Sequence, residues 1–101
     1  MYNQQIVRYF NDYTEKLMQD CLYEFDGTNG KHLCDFYGGR VIDYLYQNKL
    51  LDTCNPNFVR DMQKAMSYKK AYRNRKTFQD GISKMMFEFR DLFMKYSMYA
   101  K

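Results

Sequence analysis

The stretch Phe78-Gln79-Asp80-Gly81-Ile82-Ser83-Lys84-Met85-Met86-Phe87-Glu88-Phe89-Arg90-Asp91-Leu92-Phe93-Met94-Lys95-Tyr96-Ser97-Met98-Tyr99 decides the fold. Phe78, Ile82, Met85, Phe89, Leu92, Tyr96 and Tyr99 recur at alternating spacings of four and three. That period stacks them on one side of an α-helix as a heptad stripe. Met86 and Phe93 widen the stripe, and Asp91 and Lys95 are spaced for an i,i+4 ion pair on the polar side. Thr77 followed by Asp80 reads as a capping box that starts the helix. A helix over 78–100 would be about 34 Å long.

Working outward, the N-terminal segment repeats the pattern. Ile6, Phe10, Tyr13, Leu17, Cys21 and Phe25 recur every three or four residues, with Val7, Met18 and Leu22 beside them. Asp26-Gly27 ends that helix, and Asn29-Gly30 adds a second turn signal. Val41, Ile42, Leu45, Tyr46 and Leu50 fit a second helix that begins near Gly39, after the Gly38-Gly39 pair, and ends before Asp52-Thr53. A minor alternative makes Cys21–Phe25 and Lys31–Phe36 the arms of a β-hairpin spanning residues 21–36. Asn55-Pro56-Asn57 starts a third helix, with either Asn able to cap it and Phe58, Met62 and Ala65 as its inner stripe, flanked by Val59 and Met66. Four amphipathic segments joined by short turns predict an all-α fold: one helical domain over residues 1–101, a compact bundle of about four helices around the C-terminal one. The apolar face of that helix is wide enough to be the central element, or to be shared with a second copy in a homodimer.

Composition narrows the class. The 101 residues are 46% hydrophobic with one Pro and five Gly, which excludes disordered, collagen-like and linker-like chains. No apolar run reaches membrane-spanning length, so no membrane partner is expected. The opening Met1-Tyr2-Asn3-Gln4-Gln5 lacks a basic segment followed by an apolar one, so no secretory signal is expected. Three cysteines, an odd number, suit reduced thiols and a cytoplasmic location. With only three Val, three Ile and three Ala, the core must be built from Phe, Tyr, Met and Leu. Eleven tyrosines exceed what such a core can satisfy, so several should lie at the surface, where they suit recognition.

Charge is polarised along the chain. Residues 1–30 carry a net −3, 31–54 are neutral, 55–77 carry +6 and 78–101 carry +1. Nearly all of the excess lies in Tyr68-Lys69-Lys70-Ala71-Tyr72-Arg73-Asn74-Arg75-Lys76. The inner stripe of the third helix, extended at helical spacing, would run into Lys69, Tyr72, Arg73 and Lys76. Unpaired charges are costly to bury, so this end of the helix should project past the core or unwind near Asn74. Its cations suit phosphates or an acidic protein surface, and tyrosines stack on unpaired bases. A solvated helix end, with cations at the negative end of the dipole, is the plainer account. The candidate binding residues are therefore Tyr68, Lys69, Lys70, Tyr72, Arg73, Arg75 and Lys76. Arg40 joins them because Gly38-Gly39-Arg40 before a helix start could cradle an anion.

Little in the sequence suggests catalysis. His32 is the only histidine, and Cys34 beside it lacks an oxyanion motif or a third orienting group. Cys21, His32, Cys34 and Cys54 supply zinc-type ligands without a CxxC knuckle, so no metal or other cofactor is expected. Phe, Tyr, Met, Ile, Asn and Lys make up 47 residues against 9 of Ala, Gly and Pro, a bias that suits an A+T-rich genome. In size, helicity and composition the chain looks like small phage-encoded helical regulators, such as anti-sigma factors and anti-CRISPR proteins. The resemblance rests on no motif and carries over no functional residue. The expected function is a non-enzymatic regulator or inhibitor docking on a larger nucleic-acid-handling protein or nucleoprotein, with direct DNA or RNA binding by the same segment as the alternative.

Overall fold

The computed structural model describes residues 4–51, 55–66 and 74–97. Four helices run through them: α1 (Gln4–Glu24), α2 (Gly30–Gln47), α3 (Pro56–Met66) and α4 (Arg75–Tyr96). The all-α bundle is thus as the periodicity predicts. Residues 21–36 form the end of α1, a turn and the start of α2, so the hairpin alternative does not hold.

α4 packs against each of the other three helices. Contacts fix the directions. Phe10 meets Phe93, Thr14 meets Arg90, Met18 meets Ser83 and Phe25 meets Phe78, so α1 and α4 run antiparallel. Tyr13 stacks on Tyr44, where α1 and α2 cross, and Phe58 meets Tyr96 edge-on between α3 and α4. An isolated antiparallel bridge between Leu51 and Ser97 ties the α2–α3 connection to the end of α4.

The stripe Phe78, Ile82, Met85, Phe89, Leu92 and Tyr96 is buried within the chain itself, together with Met86 and Phe93. It is the central element, and these side chains are covered by the chain's own helices; Tyr99, the stripe's last member, lies outside the described residues. Five phenylalanines (Phe10, Phe58, Phe78, Phe89 and Phe93) are among the largest fully buried side chains, as the shortage of Val and Ile requires. Tyr9 and Tyr23 lie exposed, and so do Tyr46 and Val59, expected on or beside the inner faces of α2 and α3.

Three helix boundaries differ from the expected ones, each for a local reason. α2 begins at Gly30, nine residues before Gly39, because the α1–α2 turn is closed by side chains. The Asp26 carboxylate accepts from the Thr28 amide and hydroxyl at 2.8 and 2.7 Å and from the Asn29 amide at 3.1 Å. Asn29 answers by accepting from the Asp26 amide and donating to the Glu24 carbonyl. Gly27, at φ 91°, supplies the left-handed residue the turn needs. Gly38 and Gly39 therefore lie mid-helix. Beyond the helix's own backbone, a Cβ at Gly39 would meet no heavy atom of the described residues within 4 Å, so none of them requires glycine there, at a cost of about 1 kcal/mol relative to Ala.

At the other end of α2, the Lys49 amide bonds to the Tyr46 carbonyl and the Leu50 amide to the Leu45 carbonyl. This is a Schellman ending with buried Leu50 as its apolar clasp. The left-handed residue is Lys49, at φ 54°, where glycine is the usual occupant. Lys49→Gly is expected to stabilise the fold by roughly 0.5–1 kcal/mol, the left-handed cost less the entropy glycine adds to the unfolded chain. Thermal unfolding of the two proteins checks this, and a lower midpoint in the variant would contradict it.

α4 starts one turn earlier than the Thr77–Asp80 box implies. Asn74 is the N-cap: its side-chain oxygen accepts from the Thr77 amide at 2.9 Å, while the Thr77 hydroxyl donates back to the Asn74 carbonyl at 3.0 Å. In α3, Asn55 is the capping asparagine, accepting from the Asn57 amide at 2.9 Å.

Lys95 reaches across to α3 instead of along its own helix to Asp91. Asp61 accepts from the Tyr96 hydroxyl at 2.6 Å and from the Lys95 ammonium at 3.2 Å. These bonds, the tyrosine's first, hold the Asp61 carboxyl below its ordinary 3.8. A depressed folded-state pKa gives stability that is present above the ordinary aspartate range and is lost as pH falls through the lowered value. Asp61→Asn is therefore expected to be less stable than wild type at neutral pH and to lose less on acidification. Unfolding midpoints along a pH series measure both, and parallel acid profiles would refute the assignment.

Candidate functional site

The basic segment is divided by the structure. Tyr68, Lys69, Lys70, Tyr72 and Arg73 lie outside the described residues. Arg75 and Lys76 are described and open α4 as its first two residues, both exposed. Lys76, which extrapolation at helical spacing set on the α3 stripe, belongs instead to a new helix capped by Asn74. The first turn of α4 contains no acidic residue. Cations beside the positive end of a helix dipole oppose it by about 0.3–1 kcal/mol each. Arg75 and Lys76 are thus placed where helix stability alone favours carboxylates.

Arg40 does not join them. It lies in the second half of α2 and, with Tyr13, Asp43, Tyr44 and Gln47, lines a shallow hollow of about 210 Å³. α4 begins beside the far end of α1, where Phe78 stacks on Phe25. Tyr13 and Glu24 are eleven residues apart on α1, or about 16 Å. The Gly38-Gly39-Arg40 cradle is also absent: these residues are inside α2, where backbone N–H groups bond to carbonyls four residues back.

The thiols and the histidine diverge. Cys21 and Cys34 are buried, while His32 sits on the outer face of α2, its ring 6.4 Å from that of Phe36. Residues two apart on a helix face different ways, so His32 and Cys34 form no dyad. Burial, with smaller contributions from Cys34 and Glu24, pushes the Cys21 thiol up to about 12, keeping it protonated and unreactive at neutral pH. Among the described residues no three His, Cys, Asp or Glu side chains are grouped to hold a metal ion. Cys54, the fourth ligand of the zinc arrangement considered above, lies outside them.

A second hollow, of about 230 Å³, runs between α3 and α4. Asp61, Glu88 and Asp91 face it with Lys64 and Lys95, so its carboxylates outnumber its cations and it offers no pull on a polyanion. Arg90 is committed internally: its guanidinium donates to the buried Thr14 hydroxyl at 3.0 Å and to the Asn11 carbonyl at 3.3 Å, and lies over Phe87.

The sequence reading missed an outward stripe on α2. His32, Phe36, Gly39 and Asp43 recur at spacings of four, three and four, and the structure leaves their side of the helix facing solvent. Phe36 is 48% exposed, held between the His32 ring and the Arg40 guanidinium 5.8 Å from its centroid. The spacing was visible in the sequence, but a helix starting at Gly39 cuts it in two.

No helix among the described residues is long and apolar enough to cross a membrane. No family model matches the chain, nor does any curated protein or solved structure.

Proposed function

We propose that the chain is a non-enzymatic helical interaction protein, a regulator or inhibitor of phage type, that docks on a larger nucleic-acid-handling protein through the basic segment Tyr68 to Lys76. The observation that supports this most is the +6 charge gathered in residues 55–77, whose last two cations, Arg75 and Lys76, stand exposed at the start of α4 against its dipole. Cations placed at a cost to the helix fit an anionic surface outside the fold. The protonated Cys21 thiol and the divergence of His32 from Cys34 favour a binding role over thiol chemistry.

The test is co-purification from the native host with wild type and with the combined Lys69/Lys70/Arg73/Arg75→Ala variant. The expected result is a partner retained by wild type and lost by the variant, with the melting temperature unchanged. A large fall in melting temperature would mean that these cations serve the fold and would overturn the proposal. Tyr68 and Tyr72, interleaved with the cations, also suit stacking on unpaired bases, which supports direct DNA or RNA binding as the second reading. Electrophoretic mobility at low salt decides that reading: no shift removes it.

A further inference from the structure

The outward stripe of α2 has a symmetry that points to its partner. Phe36 and Gly39 are equidistant from the midpoint between residues 37 and 38, and so are His32 and Asp43. When two helices pack antiparallel about such a midpoint, each residue meets its counterpart on the other side of it. Phe36 of one copy then lies over Gly39 of the other, and His32 of one copy faces Asp43 of the other. Both contacts occur twice. A large ring meets a position with no side chain, and an imidazole meets a carboxylate.

Each half of this match has its own support in the monomer. Among the described residues, nothing outside the helix's own backbone lies within 4 Å of a Cβ built at Gly39, so the bare patch is open. Phe36 is fixed beside it by His32, by Arg40 and by an edge-on contact with Tyr37 at 5.2 Å, so little side-chain freedom remains to be lost on docking. Among the exposed charges of α2, Asp35 and Asp43 balance Lys31 and Arg40, so the face has no excess of cations to attract a nucleic acid.

We propose that the outer face of α2 is a self-complementary surface on which a second copy of this chain docks antiparallel, with Phe36 of each copy seated on Gly39 of the other. The contact is isologous, as a two-fold dimer requires. It is independent of the basic segment and of any target that segment binds. Because it spans little more than one helix face, the dimer belongs among weak, reversible associations and forms in the micromolar range.

Sedimentation of the full chain over a wide concentration range tests this. Wild type should pass from monomer to dimer. Gly39→Leu fills the socket with a strong helix former and should weaken association by about tenfold or more while the circular dichroism stays helical. Asp43→Lys should also weaken it, and combining His32→Asp with Asp43→Lys, which exchanges the carboxylate and donor sides, should restore it. A wild-type chain that stays monomeric throughout, including one that captures a different protein on this face, overturns the proposal. So does a Gly39→Leu chain that dimerises undiminished, or a double exchange that fails to restore association.

Discussion

Replacing Phe10 with alanine is expected to destabilise the protein by about 3–5 kcal/mol, the largest effect of any single substitution considered. Phe10 is 0% exposed and stands where three helices meet: its ring stacks on Phe93 of α4 at 4.7 Å and approaches Tyr44 of α2 at 6.2 Å. Truncation removes the transfer free energy of the ring and leaves a void. The neighbouring rings cannot easily close it, because Tyr44 is also stacked on Tyr13 and Phe93 is itself buried. Domains of this size have roughly 5–15 kcal/mol to lose, so the variant is left marginal. At about 4–8 °C per kcal/mol the melting midpoint should fall by roughly 12–40 °C. Tyr23→Ala is the control: at 87% exposure, Tyr23 should move stability by no more than about 0.5 kcal/mol. Denaturant unfolding measures both, and a Phe10→Ala chain as stable as the control would mean that the ring is not packed as described.

The same physics explains which parts of the fold were legible in the sequence. The α4 stripe could be read because a long run of large residues at heptad spacing has one economical outcome, burial along a single face. Positions governed by one residue's conformation could not. Gly38-Gly39 resembles a helix start, yet the Asp26–Asn29 turn allows the helix to begin at Gly30 and continue through both glycines. Lys49 holds a left-handed conformation that propensity assigns to glycine, because the clasp of buried Leu50 and two capping bonds outweighs the local cost. Thr77 has the right chemistry for a cap, but Asn74 stands three residues earlier and accepts from the Thr77 amide itself. Such contests differ by about 1 kcal/mol, too little to decide before the tertiary neighbours are known.

The candidate site was legible as charge and illegible as geometry. A count of cations finds the segment from Lys69 to Lys76, since charge needs no register to be seen. Where each cation points depends on where one helix ends and the next begins. Helical spacing lines up Lys69, Tyr72, Arg73 and Lys76 only if one helix carries all four, and Lys76 belongs to α4. Arg40 was joined to them by a glycine pair that turned out to be helical, and its neighbours across the turn of the helix are Phe36, Asp43 and Tyr44.

The counterion arithmetic turns that charge into the second large prediction. If Lys69, Lys70, Arg73, Arg75 and Lys76 all contact phosphates of a duplex, log affinity should fall with log salt at a slope of about −4.5. A rise from about 50 mM to about 200 mM salt then weakens binding on the order of 500-fold. The variant lacking Lys69, Lys70, Arg73 and Arg75 keeps only Lys76, and the same rise should cost it roughly three- to fourfold. An acidic protein surface behaves differently. It has no condensed counterions to release, so screening lowers its association rate but gives no such linear slope. Measuring affinity for a short duplex and for the co-purified protein at several salt concentrations therefore separates the two readings of one segment. A steep slope on DNA that collapses in the variant establishes phosphate contact. Charge-dependent binding to the protein with a shallow salt response establishes docking. A variant that binds both targets as wild type does would show that Lys69, Lys70, Arg73 and Arg75 have no part in recognition.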